Sequence, residues 1–394
     1  MDTSCVALCA WKGREAIIWL IIVLAYFALN VALGIRCYRF IKECLWDRLP
    51  AWLFCLAYAL LCLAFVCSMF LRGGIWARIL ATVGGWYLGV FFYVLLGLLL
   101  VQIARIVLRF TGAVNSMQWK SVRVRRIVGL TLCAGVAIVS IFGAVMARTP
   151  YIREEQVVVD KPLAGRDQLR IALVSDLHLG LQMGVGEMQD MVARINALSP
   201  DIVCIAGDLF DGSTKKVADL RAVEQALSNL QSRCGVYACL GNHDSGDTKD
   251  EMIALCERAG IVVLQDQIVQ VEGIAIAGRK DASPIGERGA SRLSLQQLLY
   301  TTDSNAPIVV LDHQPASVEE AAQNGVDLLL CGHTHRGQLF PLNAVTHSLF
   351  PIDWGMLQTG KTTTIVSSGF GFWGPAMRVG SRAEIVQIDL QFTP

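Results

Sequence analysis

The sequence predicts a two-part protein, with helices that cross a membrane followed by an α/β domain built on a mixed sheet. Three observations predict it. The chain is 54% hydrophobic and only 17% charged, too apolar for an ordinary soluble protein of 394 residues, and the excess is confined to the first 150 residues. From Leu169 onward, apolar runs of strand length alternate with segments whose apolar residues recur every three or four positions, which is the signature of an α/β domain. Five of the six histidines stand where such a run gives way to a loop.

Taken in order, Ala16–Ile35, Ala51–Leu71, Ile79–Val101 and Ile127–Ala147 are each long enough to cross a hydrocarbon core of about 30 Å as helices. The first runs longer than a signal peptide, lacks a clear small-residue cleavage site and precedes further spans, so it is expected to stay. Gly85 and Gly89 form a small-xxx-small pair, a kind that lets two helices approach closely and that apolar helices also carry by chance. Ten Lys and Arg fall in 36–48 and 105–126. The other side holds Lys12, Arg14, Arg72, Arg78, Arg148 and Arg153, with Lys161 and Arg166 as outer additions. Because positive loops stay in the cytoplasm, the C-terminal half is expected outside, as an extracytoplasmic domain of a multi-pass bacterial membrane protein. Cysteine usage pulls the other way: the five cysteines of that half are odd in number and show no CxxC spacing, and Cys204 and Cys331 lie in strand runs, where packing is their role. A formal net charge of +1 gives no reason to expect nucleic acid.

The polar stretch TPYIREEQVVVDKPLAGRDQ, broken by Pro162 and Gly165, reads as a linker. The organisation expected is therefore a transmembrane region over 1–150, a linker over 151–168 and a compact domain over 169–394. Within the domain the strand runs are IALV, DIVCIAG, VYACL, PIVVL and VDLLL, and helices are expected at Met188–Leu198, Val217–Leu230 and Lys249–Ala259. Val262–Lys280 and Thr363–Leu390 read as strand after strand. That implies mixed sheets, two of them stacked, with helices outside.

The loops after these strands carry the chemistry. Asp176 and His178 stand two apart in SDLHLG, a spacing that lets both reach one ion. Asp208 follows Gly207, which permits a sharp turn, and its two carboxylate oxygens suit a bridge between ions. Asn242 offers a neutral oxygen, and His313, His333 and His335 offer imidazoles. Oxygen and nitrogen ligands of this kind suit Mn, Fe or Zn better than Ca and differ from a thiolate-rich structural zinc site. Two divalent ions about 3.5–4 Å apart would hold a hydroxide nucleophile and clamp a phosphoryl group during in-line displacement. A phosphoester hydrolase is the expected activity.

In their order, DLH, GDLFD, GNHD, the isolated His313 and GHTH resemble the calcineurin-like metallophosphoesterases, and SSGFGFWGPAMRVG is similar to the membrane-attached bacterial branch. The resemblance covers Leu169 to Gln391 and implies a four-layer α-β-β-α sandwich. It implies one metal on Asp176, His178, Asp208 and His335, and another on Asp208, Asn242, His313 and His333. His243 then becomes the catalytic histidine, protonating the leaving oxygen or stabilising phosphoryl charge. Asp211 becomes the carboxylate that orients it, against the alternative of an exposed loop acid. Asp244 reads as a turn residue and Arg336 as a solvated arginine at a position where the resemblance leads one to expect glycine.

Spans that tether the site to a bilayer point to a lipid-linked phosphate or pyrophosphate. Phe350, Trp354, Phe370, Phe372 and Trp373 read first as core and second as an apolar wall or membrane contact. By resemblance alone, a UDP-2,3-diacylglucosamine-type pyrophosphate of lipid A synthesis is a substrate candidate, although that reaction would need a cytoplasmic site. Cell-wall phosphodiesters or undecaprenyl-type lipids fit the outside. The alternative from another class is an inert metal-binding recognition or regulatory membrane protein.

Overall fold

The computed structural model describes residues 3–71, 73–112, 121–163, 165–283, 285 and 291–393, with the backbone alone over 3–19. Of the charges used above for orientation, Arg72 and Lys120 lie outside the described residues, as do the side chains of Lys12 and Arg14. Four long helices open the chain: α1 (Thr3–Cys44), α2 (Ala51–Phe70), α3 (Ile75–Phe110) and α4 (Val122–Arg148). Each contains a stretch long and apolar enough to cross a membrane. α3 and α4 run past the apolar windows 79–101 and 127–147 because their ends are rich in arginine, a good helix former that hydropathy does not register. Large apolar side chains such as Leu24, Leu60, Ile138 and Phe142 point outward, as a bilayer-facing surface requires.

The chain divides into two compact units, residues 1–66 with 91–137, and residues 67–90 with 138–394. Within the first, the Tyr26 hydroxyl donates to the Cys62 carbonyl at 2.8 Å, the Tyr26 ring meets Phe91 edge-on, and Arg125 pairs with Glu43.

The second unit holds the α/β domain. Its elements are β1 (Tyr151–Val159), β2 (Gln168–Val174), α5 (Val185–Ala197), β3 (Ile202–Ala206), α6 (Leu220–Leu227), β4 (Val236–Cys239), α7 (Lys249–Arg258) and β5 (Ile261–Val263). They continue with β6 (Gln267–Val271), β7 (Ile274–Gly278), α8 (Leu295–Leu298), β8 (Ile308–Leu311), α9 (Val318–Gln323) and β9 (Leu328–Cys331). The last are α10 (Asn343–Leu349), β10 (Gly355–Thr359), β11 (Thr362–Val366) and β12 (Glu384–Phe392). Two six-stranded sheets result, ordered β1-β12-β2-β3-β4-β5 and β10-β11-β9-β8-β7-β6. Both are mixed: β12 meets β2, β10 meets β11 and β6 meets β7 antiparallel, and the other pairs are parallel.

Because side chains alternate along a strand, each central strand feeds two cores. Leu169, Ile171 and Leu173 of β2 face Ile276, Val309, Leu311 and Leu330 across the gap between the sheets. Ala172 and Val174 face the other way, onto Met188 and Met191 of α5 and Val223 of α6. Beyond the second sheet, Ala275, Val310 and Leu329 pack beneath Leu295 and Val318 of α8 and α9. Three apolar layers therefore separate helices, sheet, sheet and helices. The described cysteines are free, and Cys204 and Cys331 are buried in these cores.

Three sequence expectations change. Tyr151–Val159 is no linker but edge strand β1, parallel to β12 from Tyr151↔Glu384 to Val159↔Phe392. Its polar composition misleads because Arg153 is buried against Glu384, with its guanidinium also donating to the Val366 carbonyl at 3.0 Å. The helix expected over Val217–Leu230 is α6 alone, since Asp219 caps it by accepting the Ala222 N–H at 2.9 Å. Gly85 and Gly89 do admit a close neighbour, but it is a loop of the α/β domain and not a helix. A Cβ on Gly85 would lie 2.7 Å from the Gly374 carbonyl oxygen, and one on Gly89 2.6 Å from Met377 Sδ. On α4, the Gly143 carbonyl accepts the Arg378 N–H at 2.8 Å.

Candidate metal centre

β2, β3 and β4 of one sheet and β8 and β9 of the other end at the same edge, and the loops just beyond deliver Asp176 and His178, Asp208 and Asp211, Asn242 and His243, His313, and His333 with His335. Carboxyl ends of parallel strands are where α/β domains place their sites. The loops are tightly bent. Asp176, His178, Asp208, His333 and His335 have φ of 54, 48, 52, 73 and 48°, a left-handed region that costs non-glycine residues on the order of 1–3 kcal/mol each. Crowding is equally marked. A Cβ on Gly241 would lie 2.2 Å from Asp208 Oδ1, and one on Gly207, itself at φ 79°, would lie 2.6 Å from His313 Nδ1.

The side chains converge as two groups with a carboxylate between them. In the first, Asp176, His178 and His335 bring their ligand atoms within 4.8 Å of one another. His178 Nε2 and His335 Nε2 face each other at 3.1 Å, and His335 Nε2 lies 3.5 Å from Asp176 Oδ1. In the second, Asp208, His313 and His333 converge likewise, and Asn242 Oδ1 lies 3.2 Å from His313 Nε2 and 2.9 Å from His333 Nδ1. Asp208 Oδ2 is 3.2 Å from His313 Nε2 and 3.8 Å from His178 Nε2. Backbone amides lock the arrangement: His333 N–H donates to Asp176 Oδ1 at 3.0 Å, and His243 N–H to Asp208 Oδ1 at 2.8 Å.

This cluster fits divalent cations. Burial holds His178 down to about 4 and His333 to about 3, and burial with the Arg378 cation holds His335 well below the ordinary histidine value, so all three rings are neutral as ligands must be. Against burial, His313 and His178 keep the Asp208 carboxyl well below the usual carboxylate range. Burial also opposes charge on His313, yet Asp208, Asp176 and Asp281 hold it well above the ordinary value, so positive charge is favoured at this point whichever species carries it. The buried His178 Nδ1 has no hydrogen-bond partner. The donors are oxygen and imidazole with no thiolate, a set suited to Mn, Fe or Zn.

His243 converges with Asp211 and His178 in a third group, their ligand atoms within 4.8 Å of one another. Its ring meets that of His178 edge-on at 5.0 Å, and its Nδ1 lies 3.5 Å from Asp211 Oδ1. Asp211 is no free loop acid, because its backbone carbonyl accepts Lys216 Nζ at 2.7 Å and its carboxyl, despite burial, is held down to about 2 by His243 and Lys216.

Two residues were missed by the sequence reading. Asp244, taken for a turn residue, is buried and accepts the N–H groups of Leu209, Phe210 and Gly241 at 3.0, 2.7 and 2.9 Å, tying two ligand loops together. Arg378 is fully buried, with Nη2 3.1 Å from His335 Nδ1 and donating to the carbonyls of Gly369 and Gly371. The available signal was a lone arginine inside the apolar SSGFGFWGPAMRVG segment. Arg336, expected in solvent, lies 3.9 Å over the Trp354 ring instead. Phe370 and Phe372 are core, Phe350 meets His333, and Trp373 stands half-exposed beside His243. The sixth histidine, His347, is exposed on α10 and takes no part.

Residues 169–337 match the calcineurin-like phosphoesterase family model. A Danio rerio "transmembrane protein with metallophosphoesterase domain" is 32% identical over 65% of this chain and 61% of its own length, so the chain spans under two thirds of that relative. An uncharacterized metallophosphoesterase of Aquifex aeolicus is 32% identical over 62% of this chain and 93% of its own length. The phosphodiesterase YaeI of Escherichia coli is 30% identical over 56% of this chain and 82% of its own. With two stacked mixed sheets and this cluster at their common edge, the chain belongs to the calcineurin-like phosphoesterase family.

Proposed function

We propose that this chain is a membrane-anchored, metal-dependent phosphodiesterase acting on a phosphoester carried by a membrane lipid. One observation carries the reading: the Asp208 carboxylate lies between two imidazole-rich groups, 3.2 Å from His313 and 3.8 Å from His178. Asp176, His178, Asp208 and His335 would hold one divalent ion, and Asp208, Asn242, His313 and His333 a second. Such a pair supplies Lewis-acid activation of water and neutralises phosphoryl charge. His243 supplies the proton. Burial opposes its charge, but Asp211 and Asp208 raise its pKa above the ordinary histidine value. With Nδ1 turned to Asp211, Nε2 is the nitrogen left to protonate the leaving oxygen.

Support for a lipid substrate comes from the surface around the cluster. Trp373 is 48% exposed beside His243, and Val345 and Leu349 of α10 stand exposed ahead of Phe350, which meets His333. The 374–378 loop that follows Trp373 is seated on Gly85, Gly89 and Gly143 of α3 and α4. A phosphate at the cluster would thus have apolar surface beside it for an acyl or prenyl chain. The arginine-rich segments 36–48 and 105–126 favour an extracytoplasmic active site.

The test uses full-length protein in nanodiscs with Mn²⁺, offered a soluble aryl phosphodiester and a lipid-borne one. The lipid-borne ester should give the higher kcat/KM, and His243→Ala should lose about 10²- to 10⁴-fold in kcat with metal content unchanged. Metal binding without turnover on either ester would leave a recognition module. Equal kcat/KM on both would remove the lipid from the proposal and keep the hydrolase.

A further inference from the structure

α4 reaches the candidate metal centre through Arg378. The backbone N–H of that residue donates to the Gly143 carbonyl of α4 at 2.8 Å, while its guanidinium stands 3.1 Å from His335 Nδ1. The fit around Gly143 is close. A Cβ there would lie 2.9 Å from Val379 Cγ2, 3.0 Å from Met377 Cβ and 3.3 Å from the Arg378 carbonyl oxygen. The two carbon distances fall inside the optimal separation of about 3.5–4.0 Å, so a side chain at this position would push the residues on both sides of Arg378. Gly143, Arg378 and the ligand candidates all belong to the second compact unit.

Arg378 holds more than His335. Its Nη2 also donates to the carbonyls of Gly369 and Gly371, and that turn is pressed onto Asp176. The Gly371 N–H donates to the Asp176 carbonyl at 2.8 Å, and a Cβ on Gly369 would lie 2.7 Å from Asp176 Cβ. Asp176 and His335 are both members of the first ligand group. The second group is braced elsewhere, with His313 Nδ1 2.8 Å from the Ala206 carbonyl oxygen at the end of β3. Because close-packed interiors transmit displacement, a shift of Arg378 would reach the first group and spare the second.

We infer, resting on the two-ion reading above, that Gly143 of α4 is a positioning residue for the metal centre: it seats Arg378, and through Arg378 it sets Asp176 and His335 but not Asn242, His313 and His333. One ion then depends on a membrane-length helix, and the other does not.

Calorimetric titration of the full-length protein in nanodiscs with Mn²⁺ tests it. Wild type should bind two ions. Gly143→Val should weaken one of them about 10- to 100-fold, the cost of disturbing an outer partner of a ligand, and leave the other as it was. The weakened site should be the one that His335→Ala removes. Gly135→Val, on the same helix but where a Cβ has open space, should change neither affinity. Since Gly143 acts through Arg378, the double variant G143V/R378Q should bind no more weakly than R378Q alone. Gel filtration checks folding. If the valine protein does not fold, Gly143→Ala, whose added methyl favours the helix itself, should show the same selectivity in smaller measure. Unchanged affinities in the folded Gly143 variant, equal loss at both sites, or losses that add in the double variant overturn the inference. Fewer than two ions on wild type would instead sink the two-ion reading and take the role of Gly143 with it.

Discussion

The two halves of the candidate metal cluster both combine imidazoles with oxygen donors but are held in place by different means. On one side, Asp176, His178 and His335 all sit on strained left-handed backbone, and the buried Arg378 cation lies against His335. On the other, His313 lies just past the end of β8, and its Nδ1 is 2.8 Å from the Ala206 carbonyl oxygen. Asn242 offers a neutral oxygen there in place of a second carboxylate. His333 is the one strained imidazole of that half, and it lies toward Phe350 at the rim. The contrast teaches that left-handed backbone, backed by a buried charge, holds every member of one half, whereas in the other Asp208 and His333 are left-handed and His313 and Asn242 are not. Asp208 belongs to both.

That contrast can be broken outright at Asp208. Asp208→Asn should deplete both ions and lower activity by more than the roughly 10- to 100-fold that an outer partner of a ligand costs, as metal analysis alongside turnover would report. Next in size, His335→Ala and His333→Ala should each remove one ion and leave the other. Retention of both ions in both proteins would mean that the two groups do not act as separate sites.

Arg378→Gln sharpens the comparison without touching a ligand. Loss of about 10- to 100-fold in affinity is expected for the His335 half alone, since the other half makes no contact with Arg378. Lysine should not rescue it, because an ammonium cannot reproduce the guanidinium's contacts with His335 and two carbonyls at once.

The smallest effect is expected at Asp211, the carboxylate beside His243. The pKa of His243 is raised by Asp211, so the protonated form persists above the usual histidine range and activity that needs it is lost as pH rises through the raised value. Asp211→Asn removes that support. The alkaline limb of the pH–rate profile should move to lower pH, with kcat at neutral pH falling. An unmoved limb would assign Asp211 to loop structure through Lys216.

Much of this candidate site was legible because side chains able to bind metal, placed at strand ends, leave marks in the chain: an apolar run, then Asp, His or Asn beside glycine. Partners far apart in sequence leave none. β1 looked like a linker because its ladder partner, β12, begins 233 residues later. Arg378 looked like any arginine until the fold brought it to His335, 43 positions away. The Gly85 and Gly89 pair fitted a helix–helix contact equally well until a loop was found lying against it.

By itself, the sequence determined the membrane-length helices, the mixed α/β architecture and the identity of the residues that gather at the strand ends, since each depends on local periodicity or on a short motif. Only the tertiary structure decided which imidazoles face one another, which backbones are forced into left-handed turns and which buried charge stands behind them. Those outcomes depend on distances between loops as far apart in the chain as those of His178 and His335, 157 positions, set by how two sheets stack, and no local pattern encodes a distance across such a gap.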